Sequence, residues 1–362
     1  MNVLISGASA AGPALAYWLG RQGHQVTVVE RAPALRLGGH AVDVRGAAVE
    51  VAARMGLLET IRDARTAYRG MSMLDGDGVE VFRDTESTYS GGRIDNDDVE
   101  LPREDLARIL FAHAPAEYLF DDTVTALHEH ADGVLVEFEK APAREFDLVV
   151  GADGLHSRVR RLAFGPEERF VHRLGQHIGI YTVENFLGTR DWQTWMRDGD
   201  LGYGLFTSRD NTRLTVFLGF DAGPVSYDHR DVEQQRRIVA EHFKDARWET
   251  PRLLKAMWEA PDFYFDAVAQ VRMDHWSKGR IVLVGDAAYC PSPMSGQGTS
   301  LALVGAYVLA DELGENPYPT AFARYEQRMR PFADANQALA LENPGGPAPE
   351  SSVDKAKNAI TL

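Results

Sequence analysis

The chain of 362 residues has a single cysteine, Cys290. That excludes an intrachain disulfide and any cysteine-rich metal site, and a lone buried thiol usually serves as a small packing residue. Basic residues are also short, 38 Lys and Arg against 53 Asp and Glu, for a formal charge of -15. With no basic stripe interleaved with aromatics, this balance argues against nucleic acid as a partner. The longest apolar stretch, near Leu301 to Ala310, is too short to span a bilayer. Met1-Asn2-Val3 runs straight into a strand pattern, so no signal peptide and a cytoplasmic location are expected. No Ser/His/Asp set, phosphate-cradling lysine motif or metal-ligand cluster is visible, and no metal is expected. There is no internal repeat and no low-complexity tract.

What is present is organised around glycines and acids that follow apolar strands. Asn2–Ser6 reads as a buried strand, and Gly7-Ala-Ser-Ala-Ala-Gly12 is a near match to the Gly-rich dinucleotide fingerprint, with Ser9 in place of the middle glycine. A helix then begins near Pro13. Gln25–Glu30 is the second strand and ends in an acid. In such a unit the first glycine makes the turn, the helix start receives pyrophosphate, and Glu30 accepts from a ribose hydroxyl. Gly7, Ser9, Ala11, Gly12, Glu30 and Arg31 are the candidate residues here.

A second strand-to-loop unit runs from Arg280 to Thr299. Asp286, Pro291, Pro293, Gly296, Gln297 and Gly298 fall in one short loop before a long apolar helix capped by Thr299 or Ser300. Prolines stiffen the loop, and the glycines remove side chains where backbone must approach a flat ligand. The helix start offers unpaired N–H groups to an anionic ring. A third unit, Asp147–Arg160, carries Asp153-Gly154 after a buried strand. Alone, that pair is an ordinary turn and its arginines an ordinary solvated helix face.

In this order the three units resemble the single-component FAD-dependent aromatic hydroxylases, the para-hydroxybenzoate hydroxylase family. Gly38-Gly-His-Ala-Val-Asp43 and Leu101-Pro-Arg103 sharpen the likeness toward the branch containing the tetracycline-inactivating monooxygenase. The resemblance implies flavin contacts from Asp43, Arg103, Asp153 and Asp286, and an NADPH contact from Arg36. Tyr289 stands where the family usually has His, a change expected to matter little for flavin binding. It implies FAD as cofactor, NADPH or NADH as co-substrate, O2, and oxygen transfer to a small aromatic substrate through a flavin C4a-hydroperoxide, in antibiotic biosynthesis or inactivation. The protein is expected as a monomer or homodimer. Two alternatives stay open: an FAD-dependent dehydrogenase or reductase without oxygen insertion, and a non-redox module with structural flavin.

The fold expected is α/β, a Rossmann-like FAD-binding domain with a β-sheet substrate domain and C-terminal helices. Residues 1–70, 99–170 and 271–320 are assigned to the flavin domain and 71–98 with 171–270 to the substrate sheet. Residues 321–362 form a C-terminal helix and tail, with 343–352 expected to be mobile. Gln176, His177, Tyr181, Trp192, Gln193, Trp195, Tyr203, Phe206 and Phe217 alternate along the middle strands. These, with Pro293, are the candidate lining of an apolar substrate cavity, His177 being the best polar contact. Aromatics at period two are nonetheless more often core.

Overall fold

The computed structural model describes residues 1–35, 40–223, 225–229, 231–343 and 348–362. Arg36, Gly38, Gly39 and part of the 343–352 tail therefore lie outside the described residues. The remaining tail residues Glu350 to Ser352 do not form a loose tail; they open a helix, Glu350–Lys357.

Two sheets carry the architecture. The first has six strands in the order Ser277–Lys278, Ile281–Leu283, Leu148–Gly151, Asn2–Ser6, Gln25–Glu30, Glu117–Phe120. All neighbours are parallel except the antiparallel Ser277–Lys278 edge. Its central strands are apolar on both faces, as a sheet covered by helices on both sides requires. Val3, Leu4, Ile5, Val149, Val150, Val282 and Leu283 have essentially no exposure. The helices Ala11–Arg21 and Gly298–Glu315 pack on each other, and the latter is also in contact with Tyr318–Glu342.

The second sheet has seven strands, ordered Tyr264–Val271, Val171–Glu184, Arg213–Asp221, Leu201–Thr207, Gln193–Asp198, Met71–Leu74, Glu80–Asp84. One parallel pairing, Gln193–Asp198 with Met71–Leu74, joins the early and late segments. Val216, Leu218 and Leu205 point to one face, where helices Val232–Phe243 and Thr250–Glu259 supply Val239, Phe243, Leu253 and Met257 to a second core. The other face looks toward the six-stranded layer. Residues 71–84 form a hairpin, as do 124–138. A two-stranded ribbon, Ala41–Val44 with Val99–Pro102, bridges the layers. Among the described residues, no helix is long and apolar enough to cross a membrane.

Candidate active site

One cleft of about 2300 Å³ runs between the two layers. Its floor begins at the first strand of the chain. Gly7 takes φ +110° and a Cβ there would lie 2.4 Å from the Ala152 carbonyl, so only glycine allows the first strand to turn against the neighbouring one. Gly12 is closed in the same way, 1.9 Å from the Gly7 carbonyl. It therefore shapes the turn from behind, whereas Gly7, Ser9 and Ala11 line the cleft. Glu30 and Arg31 line it as well. The Glu30 carboxylate accepts from Ala8 N–H and Ala32 N–H, both at 2.9 Å, which ties the glycine turn to the end of the second strand. The helix Ala11–Arg21 starts with no side-chain cap.

Asp153 sits deeper. It accepts from the backbone N–H of Arg158 at 2.8 Å and of Val159 at 3.1 Å, and from the Ser157 hydroxyl. Burial raises its carboxyl above the usual range, although these donors oppose the shift. Arg160 is fully buried, donating to Ala287 O at 3.0 Å and Leu155 O at 2.5 Å. The reading of these arginines as a solvated face fails for Arg160: it clamps two cleft loops together.

A second wall, beside the first helix, is the Asp286–Thr299 segment. Asp286 opens a single helical turn, is half-buried in the cleft, and has its carboxyl raised by desolvation. Gly296 adopts the left-handed conformation at φ +62°. A Cβ on Gly298 would meet only Asp286 Oδ1, at 3.8 Å, so the wall is bare on its cleft side. Pro293, Gly296, Gly298 and Thr299 all line it; Gln297 does not, and its side-chain amide is buried without a hydrogen-bond partner among the described residues. The expected cap by Thr299 or Ser300 is absent. The N-cap is Gln297 with no side-chain hydrogen bond. Ser300 is drawn away, its hydroxyl accepting from Arg45 N–H at 3.0 Å and donating to Asp43 O at 3.3 Å. Two long helices thus present uncapped N-termini to one cleft, which suits an anionic, flat dinucleotide cofactor.

Asp43 and Arg103 also line the cleft. Arg45, which the sequence did not single out, pairs with Asp43 at 3.0 Å, and both side chains are buried. Opposite Asp43 in the ribbon stands Glu100. Burial, and then the Asp43 charge, pushes the Glu100 carboxyl up to about 8. No motif flags Arg45 or Glu100, because each becomes polar lining only through the ribbon pairing.

The sheet face opposite the glycine wall carries Gln176, Trp195, Phe206 and Phe217. Trp195 lies 5.0 Å from Phe206 and 4.4 Å from Tyr89, ring centre to centre. Met294 of the glycine wall packs with Ile178, Ile180 and Phe217, so wall and sheet meet. Other expectations need correction. Tyr203 is fully buried behind the sheet, stacked on Trp248. Tyr181 borders the cleft, but its ring belongs to the helix-side core and its hydroxyl donates to Leu253 O at 2.9 Å. Trp192 is outside the cleft, its indole N–H on Ser72 Oγ and its ring under Arg83. Gln193 is buried behind Trp195. His177 reaches a far arm of the cleft, yet is 1% exposed and stacked between Phe220 and Phe265. Period-two alternation separates the faces of a strand; it does not say which face meets the cavity.

Residues 1–338 match the FAD-binding domain family. The chain belongs to that family. It is 50% identical over its whole length to an uncharacterized protein of Mycobacterium tuberculosis, covering 99% of that protein. It is 38% identical to a flavin-dependent monooxygenase of Legionella longbeachae, over 94% of this chain and 88% of that one. The crystal structure of the tetracycline destructase Tet(55) superposes with a TM-score of 0.90 at 36% identity, covering 99% of this chain and 97% of that chain. This family member is accordingly an FAD-dependent monooxygenase, and its resemblance to the tetracycline-inactivating branch holds.

Beside the cleft, His156 is held at 3.0 Å by both Glu167 and Asp266. Burial would lower its pKa, but the two carboxylates overcome this and raise it to about 9. Tyr227 and Tyr264 donate to the same Asp266, at 2.9 and 3.0 Å. His156, Glu167 and His229 bring ligand-type atoms within 4.8 Å of one another. Arg160 and Arg161 already face Glu167, so the group has no excess negative charge to attract an ion.

Proposed function

We propose that this monooxygenase uses NADPH or NADH to hydroxylate an aromatic or polycyclic phenol, in the manner of the tetracycline destructases it resembles. The observation that carries the reading is the opposition of a bare glycine wall to an aromatic sheet face across one cleft. The net reaction is substrate C–H plus O2, NAD(P)H and a proton, giving substrate C–OH, water and NAD(P)+. Bound FAD would supply the redox chemistry and oxygen activation.

The residues present suit that cofactor. Gly7, Ser9 and Ala11 would take the pyrophosphate at the start of the first helix, and Glu30 with Arg31 the adenosine end. Asp43, Arg103, Asp153 and Asp286 would border the flavin. Gly296, Gly298 and Thr299 would lie along the ring, where the uncapped helix start stabilises negative charge on the reduced form. Trp195, Phe206, Phe217, Gln176 and Pro293 would hold the substrate against it and exclude water. The flavin layer would then be drawn from the parallel sheet and its helices, and the substrate layer from the seven-stranded sheet.

The test is the visible spectrum of the purified protein before and after anaerobic NADPH, with and without a panel of polycyclic phenols. A yellow protein that bleaches faster with one phenol, and then yields an oxygenated product with 18O2, supports the proposal. Oxidation or reduction of the substrate without oxygen incorporation would instead favour the dehydrogenase reading, and turnover without NAD(P)H the non-redox one.

A further inference from the structure

A chain of hydrogen bonds joins the two walls of the cleft. Trp195 Nε1–H donates to Gln193 Oε1 at 3.1 Å. Gln193 Nε2–H donates to Ser90 Oγ at 2.6 Å. Ser90 Oγ–H donates to Glu100 Oε1 at 2.8 Å. The polarity of the first two links is forced. An indole nitrogen can only donate, so the Gln193 amide must turn its oxygen to Trp195 and its NH2 to Ser90. The serine oxygen is then an acceptor, and its own proton goes onward to Glu100, the terminus of the chain.

Glu100 is also fixed on its far side. It stands directly opposite Asp43 in the ribbon, and Arg45 lies between this pair and the glycine wall. The Arg45 guanidinium donates to Ser90 O at 2.5 Å and pairs with Asp43, and a Cβ on Gly296 would lie 3.4 Å from it. Ser90 thus receives one contact from each wall: its carbonyl from Arg45, its hydroxyl from Gln193. Gln193 is fully buried, so its amide has no water to exchange with, and a broken link leaves an unpaired polar group.

We propose that Glu100 is a positioning residue which, through Ser90 and Gln193, fixes the Trp195 indole on the aromatic face of the cleft and so sets the substrate wall relative to the glycine wall. The assignment rests on the reading that substrate lies against this face. The charged and titratable groups facing Glu100 are Asp43 and Arg45 across the ribbon and the buried Tyr68 phenol; Asp98, at the entry to its own strand, is paired with Lys357.

The test follows the Trp195 indole N–H resonance in 15N-labelled holoenzyme, identified by its loss in Trp195→Phe. In the wild type this resonance should move as pH passes through about 8, where Glu100 ionises. Glu100→Gln keeps an acceptor oxygen and should hold the resonance near its low-pH position at every pH. Ser90→Ala cuts the chain; the resonance should shift, lose its pH response, and KM for a bound phenol should rise about five-fold, the scale of one hydrogen bond. Flavin content, read from the visible spectrum, should stay unchanged in both variants. A Trp195 resonance that titrates equally in the wild type and Glu100→Gln, or that Ser90→Ala leaves in place, overturns the proposal. A protein without flavin would instead count against the functional reading, since the chain is formed by side chains alone.

Discussion

The Tyr289 hydroxyl fills the notch left by Gly305: a Cβ on Gly305 would lie 1.9 Å from that oxygen. The phenol oxygen accepts from the Tyr325 hydroxyl at 3.0 Å and Tyr289 is 1% exposed, so it has nowhere to swing. Gly305→Ala should therefore destabilise the protein by about 1–3 kcal/mol through overpacking. Tyr289→Phe removes the clashing oxygen and should relieve part of that loss in the double variant. Thermal or denaturant unfolding of the four proteins in the cycle checks this; strictly additive effects would contradict it.

Gly298 offers the opposite case. Its Cβ direction meets no protein atom nearer than 3.8 Å, so Gly298→Val should fold with a melting temperature close to that of the flavin-free wild type. The valine would occupy the space assigned to the ring, and the purified variant should be largely colourless. Full yellow colour with retained turnover would mean that the ring lies elsewhere.

The His156 network makes stability depend on pH in a defined window. The folded-state pKa is raised from 6.5 to about 9, so the folded protein holds this proton more tightly than the unfolded chain. Its contribution is complete below pH 6.5 and is lost as pH rises through about 9. Glu167 and Asp266 are shifted downward, so their contribution disappears in acid. Melting temperature should decline between pH 6.5 and 9, and His156→Gln should flatten that decline while lowering stability at pH 6. An unchanged slope in the variant would remove His156 as its source.

His177 is expected to be dispensable to stability. Both ring nitrogens are buried with no hydrogen-bond partner among the described residues, and burial lowers the imidazole pKa. Exchanging an unpaired polar ring for an apolar side chain should be neutral or stabilising, so His177→Leu should change unfolding free energy by at most about 1 kcal/mol. A larger loss in equilibrium unfolding would show that the ring has a partner this reading omits.

The glycine-lined side of the cleft was legible in sequence because its physics is local. Gly7 and Gly296 sit in short turns where a left-handed backbone, and at Gly7 also close approach, select glycine, and the acids Glu30, Asp153 and Asp286 lie at or within a few residues of the ends of buried strands. The sheet side was not legible to the same degree. Trp195, Phe206 and Phe217 line the cleft while Trp192 and Tyr203 do not, and only the register of seven strands decides between them. Glu100, Ser90 and Gln193 become one chain only where the fold brings Gln193 to Ser90, 103 positions away in sequence. The Thr299 or Ser300 cap failed for a similar reason: Asp43 and Arg45, remote in sequence, compete for Ser300.

The uncapped starts of Ala11–Arg21 and Gly298–Glu315 have a meaning for the life of the protein as well as its chemistry. On the proposed function, N–H groups that a serine or aspartate would normally satisfy would be left for the cofactor, and FAD would complete the secondary structure around it. Binding to the folded form alone then raises stability with the logarithm of free FAD. The flavin-free protein would then open more often and be cut faster by a protease than the loaded one, linking cofactor occupancy to lifetime.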